Sequence, residues 1–153
     1  MDNFSGKSIA GQWFGSYSYG PEYGLKLEGE QVIFSILVDE VFNNQFKGKC
    51  IELEGLGAST EVSKIEGFIE NNFISFTKEY PTNYYIDEFG KEVIVETEIN
   101  NQLSYKGHYD EETKTFSGSW EIWRNVVSFG DSTSVNIGNG SWEFSKDNDK
   151  YRI

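Results

Sequence analysis

The 153-residue chain holds one cysteine, Cys50, and one histidine, His108. A single thiol excludes an intramolecular disulfide, and small secreted domains usually carry several cysteines. Zinc takes three or four nitrogen or sulfur ligands, so no metal site and no cofactor are expected. Basic residues are also few: 13 against 25 acids, a formal net charge of −12. Nucleic acids and anionic membrane surfaces recruit basic clusters, and the sequence offers none, so neither partner is expected. The acidity reads as solubility. No stretch approaches the ~20 apolar residues of a membrane helix. The opening Met1-Asp2-Asn3-Phe4-Ser5-Gly6-Lys7 has no basic segment leading into an apolar one, as a signal peptide would. A cytoplasmic protein is the expectation. Alanine occurs only at Ala10 and Ala58, so strong helix formers are scarce.

Aromatics are abundant instead, with 12 Phe, 9 Tyr and 4 Trp. They pack well on pleated surfaces. The dominant period is two: Val32, Phe34, Ile36 and Val38 share one face, and Tyr105, Gly107 and Tyr109 another. Such alternation predicts half-buried strands. The predicted strands are 11–19, 23–28, 31–41, 45–54, 61–70, 72–80, 92–100, 103–109, 115–124 and 137–145. Turn residues such as Asn43-Asn44, Asn71-Asn72 and Asp110-Glu111-Glu112 separate them. Short helical turns fit near Phe4–Ile9 and near residues 125–133. The longest irregular pieces are expected at 55–60, 81–91 and 125–136. Short connections predict antiparallel hairpins between sequence neighbours.

One local pattern recurs: a glycine flanked at both second positions by large side chains. It occurs around Gly15, Gly48, Gly67, Gly107 and Gly118. Residues i, i+2 and i+4 of a strand share a face, so each glycine lies among bulky inward neighbours. On the concave face of a coiled sheet it relieves crowding and admits an aromatic from the next strand. The fold class is therefore all-β: an antiparallel up-and-down meander closed into an 8–10-stranded barrel, with little or no helix. Residues 1–153 form one domain, with 1–10 a lead-in and 147–153 a solvated tail.

Gly11-Gln12-Trp13, opening the first strand, resembles the Gly-x-Trp motif of lipocalins. The Tyr105-Lys106-Gly107-His108-Tyr109 and Phe116-Ser117-Gly118-Ser119-Trp120 hairpin, with Gly140-Ser141-Trp142-Glu143-Phe144 after it, is similar to lipocalin-like bacterial barrels. The pattern is that of the calycins, which include lipocalins, fatty-acid-binding proteins and avidins. A Thr-Asp-Tyr loop, a long C-terminal helix and a helical lid are missing. The resemblance implies a ligand-binding barrel, with a cation near the end of the last strand packed on Trp13. That cation is Arg124 if 115–124 lies beside the first strand, and Lys146 if 137–145 closes the barrel.

The lumen candidates for a ligand are Trp13, Tyr17, Phe34, Phe76, Tyr105, Tyr109, Trp120 and Arg124. Almost no charge is expected among them in mid-strand. His108 reads outward between Lys106 and Asp110, and Cys50 reads inward as a small hydrophobe. Asp147-Asn148-Asp149 lacks the glycine and distal glutamate of a calcium loop. Glu52 and Glu54 continue the inward register of Cys50 towards one mouth, where the expectation is a strand end already in water. No catalytic residue is assigned. The best reading is a barrel holding an apolar or aromatic small molecule. A structural or interaction protein with a solid aromatic core is the alternative, and an enzyme with a mouth carboxylate a weaker one. Trp123, Val126, Val127 and Phe129 form a candidate outer patch for self-association.

Overall fold

A computed structural model describes residues 6–24, 27–55, 58, 59, 61–80, 84–86, 89, 92–94, 102–128 and 130–146. For 6, 7, 22, 84–86, 92–94, 102, 123–128 and 131–137 only the backbone is described. The strands are β1 (Gly11–Tyr19), β2 (Gln31–Phe42), β3 (Gln45–Glu54), β4 (Ser63–Glu70), β5 (Phe73–Glu79), β6 (Tyr84–Ile86), β7 (Glu92–Ile94), β8 (Gln102–Asp110), β9 (Thr115–Ser128) and β10 (Asp131–Ser145). Eight of them close into an antiparallel barrel in the order β1-β10-β9-β8-β5-β4-β3-β2. β6 and β7 pair only with each other and lie between β5 and β8 in the chain. The described residues contain no α-helix, only two 3-10 turns, Gly6–Ile9 and Pro21–Tyr23.

Alternation sets the inner wall. Every second residue of β3 from Phe46 to Glu52 is buried, and its outward neighbours are exposed. Inward aromatics face inward glycines across the ladders. Gly15 pairs with Phe34 on one side and Phe144 on the other, and Gly67 with Phe46 and Phe76. A Cβ on Gly15 would stand 2.5 Å from Phe34 Cε1 and 2.6 Å from Phe144 Cβ. The glycines are thus the hollows into which the rings of adjacent strands fit.

Three sequence expectations need correction. Of the expected strand 23–28, Tyr23, Gly24, Leu27 and Glu28 lie in no strand, and residues 25 and 26 fall outside the described residues. Pro21–Tyr23 is a 3-10 turn, and Gly24 and Gly29 take φ of 81° and 80°, which breaks any extended run there. Residues 125–128 and 131–136 are strand rather than loop or helix, because β9 runs to Ser128 and β10 starts at Asp131. Beyond Trp123 and Gly140 these two strands pair only with each other in the described ladders, so their own hydrogen bonds sustain the polar sequence there. The 81–91 segment is not wholly irregular either, since β6 falls within it. Only 92–94 of the predicted 92–100 strand is described, as β7.

The barrel ends differ. One carries the tight turns at 43–44, 71–72 and 111–114, with Asn43 and Asn71 at φ of 56° and 51°. Asparagine tolerates that left-handed region. Buried Ile9 plugs this end, and its carbonyl accepts the Trp13 indole N–H at 2.8 Å. Because β10 is the closing strand, the cation on Trp13 is Lys146, 5.2 Å from the ring centroid, and its ammonium donates to the Ala10 carbonyl. The other end, here the loop end, carries the connections 20–30, 55–62 and 80–101.

Replacing Gly15 with valine should destabilise the fold by about 3 kcal/mol, the scale of overpacking a filled core. Urea denaturation measures it, and an unchanged midpoint would contradict the knob-and-hollow packing.

Candidate functional site

The half of the lumen nearer the plugged end is filled by rings. Phe144 lies 5.3 Å from Trp13, 5.4 Å from Phe116 and 5.1 Å from Trp142, measured between centroids. Phe76 stacks on Tyr105 at 4.8 Å with 10° between planes. The layer continues towards the loop end through Tyr17, Trp120 and Tyr19. The buried indoles are satisfied by backbone: Trp120 donates to the Ser18 carbonyl at 3.0 Å and Trp142 to the Ser119 carbonyl at 2.9 Å.

Above this layer the barrel encloses an ion pair. Glu52 on β3 and Lys78 on β5 point inward, and their side chains are 1% and 2% exposed. Lys78 Nζ lies 3.4 Å from Glu52 Oε2 and donates to the Tyr105 hydroxyl oxygen, also at 3.4 Å. It sits 4.8 Å from the ring centroids of both Tyr17 and Tyr80 and 5.6 Å from that of Tyr105. The Tyr17 hydroxyl donates to Glu52 Oε1 at 2.6 Å, and the Ser59 amide donates to the same oxygen at 3.3 Å. The Tyr80 hydroxyl donates to Glu52 Oε2. Ser59 and Tyr80 belong to loop-end connections, so two of those connections fold onto the carboxylate.

The cluster is polar chemistry held out of water. Burial pushes the Tyr105 phenol up to about 12, against the attraction of Lys78. Burial also pushes Tyr19 up to about 12, against a hydrogen bond with Tyr17. The Cys50 thiol rises to about 11, mainly through burial. Cys50 is thus an inert buried hydrophobe rather than a nucleophile.

The expected residues fall out as follows. Trp13, Tyr17, Phe34, Phe76, Tyr105 and Trp120 are buried and inward, while Tyr109 is half-buried against Phe116. The Arg124 side chain lies outside the described residues, as do those of Trp123, Val126, Val127 and Phe129, and the whole of 147–149. His108 is exposed, its ring 5.4 Å from Phe73. Glu54 is exposed, but Glu52 is not the water-facing strand end expected; the Ser59 segment and Tyr80 cover it. Lys78 adds an inward charge that the sequence reading does not name, at the penultimate position of β5 rather than in mid-strand. The register Ile74, Phe76, Lys78 pointed inward all along.

Comparison with known proteins gives fold and no sequence kinship. No protein-family model matches the chain, and no curated protein matches it in sequence. A redesigned beta barrel, mFAP1, bound to DFHBI, is similar over 94% of this chain and 98% of its own, with a TM-score of 0.52 at 10% identity. EF1p2_mFAP2b bound to DFHBI covers 92% of this chain and 94% of its own, with a TM-score of 0.51 at 10% identity. Rhizavidin aligns over 93% and 89% at 15% identity, with a TM-score of 0.44. The first two likenesses, at 10% identity, bear on the barrel fold alone.

Two predictions follow from the buried cluster. Glu52→Ala leaves a buried ammonium without its counter-ion and should cost about 3–5 kcal/mol, whereas Glu52→Leu combined with Lys78→Met should cost much less. Urea unfolding of the wild type and the two variants decides, and a double variant no more stable than Glu52→Ala would contradict a coupled pair. In alkali, unfolded tyrosines ionise near 10, while Tyr19 and Tyr105 hold their protons to about 12. The unfolded state binds fewer protons between those values, so stability should fall as pH rises through that window. Urea midpoints that stay level up to about pH 11 would contradict it.

Proposed function

We propose that the protein binds a small, mainly apolar or aromatic molecule at the loop end of its barrel. Tyr17, Tyr105 and Trp120 line the seat, and the Glu52–Lys78 pair meets the ligand's polar group. The observation that carries this reading is the enclosed ion pair itself. A fully desolvated pair is often no better for stability than apolar side chains of the same volume. Placing one under two folded-over connections, in a lumen otherwise lined with rings, suits recognition. An eight-stranded barrel leaves room for side chains or for one small ligand, and rings fill the opposite half. The barrels of like fold that were solved with DFHBI lend support by architecture alone. Kinship with lipocalin-like bacterial barrels belongs to the same proposal and rests on Gly11-Gln12-Trp13 and the glycine-centred hairpin. The lone reduced thiol of Cys50 suits a cytoplasmic setting.

A second reading has its own observation. Leu37, Ile51 and Leu53 are exposed side by side on the outer wall of β2 and β3, as a protein acting through its surface would have them.

Thermal denaturation against a panel of hydrophobic dyes and aromatic metabolites tests both. A ligand at about 100 times its Kd adds about 2.7 kcal/mol, so a rise of about 5 °C in Tm is expected. The rise should vanish in Lys78→Met. If no compound shifts Tm and light scattering shows concentration-dependent association, the second reading replaces the first.

A further inference from the structure

We propose that Lys78 captures carbonyl compounds, forming an imine with an aldehyde or ketone that sits against the tyrosines. This deepens the ligand-binding reading and rests on it. Among the described residues Lys78 is the buried lysine, its ammonium enclosed by the rings of Tyr17, Tyr80 and Tyr105. A structural ion pair in such a place favours arginine, whose planar fork satisfies both carboxylate oxygens; lysine is a single point donor that can give up its proton. The geometry separates the two partners further. Glu52 is fixed by Tyr17, Tyr80 and the Ser59 amide, while its contact with Lys78 is 3.4 Å long. The carboxylate therefore stays in place when the amine turns to a substrate.

The step balances within the site. Lys78 passes one proton to Glu52, and its lone pair attacks the carbonyl carbon to form the C–N bond. A proton moves from the attacking nitrogen to the carbonyl oxygen, which becomes the hydroxyl of a carbinolamine, and Glu52 then protonates that hydroxyl. Water leaves as the nitrogen lone pair forms the C=N bond, and the product is an iminium cation beside the restored carboxylate. In sum, ammonium and carbonyl give iminium and water, with no oxidant or reductant. The positive charge stays where the three rings and Glu52 already hold one, so the site stabilises reactant and product charge alike. The flat interior rings suit an aromatic or unsaturated aldehyde.

The test is reductive trapping on the full chain at neutral pH. Benzaldehyde and cinnamaldehyde are each supplied with cyanoborohydride, and labelled lysines are mapped by peptide mass spectrometry. Benzyl alcohol and cinnamyl alcohol, which cannot form imines, are run in parallel by thermal denaturation. Lys78 should be labelled about tenfold faster than exposed Lys49 and Lys64, because the bound carbonyl is held at the amine. The alcohols should raise Tm in the wild type and in Lys78→Arg, which keeps the charge and loses the label at that peptide. Labelling that tracks exposure, with the alcohols still binding, overturns carbonyl capture and leaves the ligand seat standing. Absence of both label and Tm shift overturns the two together.

Discussion

Closing eight strands on themselves fixes the volume inside, and every inward side chain must share it. An open sheet can splay to admit a larger residue; a closed one cannot. This chain meets the limit by setting aromatic side chains against glycines on the neighbouring strand. The Gly140 position makes the point at the loop-end half: a Cβ there would stand 2.6 Å from the Trp120 indole nitrogen. That same nitrogen reaches the Ser18 carbonyl across the barrel wall. Ring placement, strand curvature and indole hydrogen bonding are therefore one arrangement, and the position of Tyr17 over the ion pair follows from it.

Against such a core a buried ion pair has to be explained. Removing each ion from water costs several kcal/mol, offset only by good geometry and further hydrogen bonds. Glu52 has those bonds from Tyr17, Tyr80 and Ser59. Lys78 has three π-faces and a phenol oxygen. Tyr17 and Tyr80 thus serve both charges at once, with hydroxyls turned to the anion and faces to the cation, while the Tyr105 hydroxyl accepts from the Lys78 ammonium. These hydroxyl bonds explain why tyrosine rather than phenylalanine stands at positions 17, 80 and 105, while Phe116 and Phe144 suffice in the other half.

The fold was largely legible because period-two patterning and glycine placement are local signals tied to one geometry. β1 and β3 match their predicted limits; Gly15, Gly48 and Gly67 sit opposite Phe34, Val38 and Phe76, while Gly107 and Gly118 face each other and leave room for Trp142. Segment 23–28 misled because Tyr23, Leu25 and Leu27 alternate, yet Gly20, Gly24 and Gly29 punctuate them. The β9–β10 extension misled in the opposite way. Its Asn, Ser and Asp residues read as loop, while ladder bonds depend on backbone and not on composition. The site was half legible. Glu52 reads inward, but nothing local in the sequence says that Ser59 and Tyr80 will cover it. Thr77-Lys78-Glu79 has the composition of a polar strand end, although register alone puts Lys78 inside.

The two barrel ends divide the work between them. Among the described residues, short turns and the buried Ile9 close the first end. The second end is built from connections whose residues bond directly to the polar cluster, so moving Ser59 or Tyr80 alters the hydrogen bonding of Glu52. Access to the lumen and the electrostatics of the ion pair are consequently coupled. A molecule entering there would have to displace a donor from the carboxylate and offer its own polar group in exchange. Under the proposed reading, a buried carboxylate that loses a donor pays the desolvation cost in full unless the incoming molecule replaces that bond, so the ligand would be apolar in body and polar at one end.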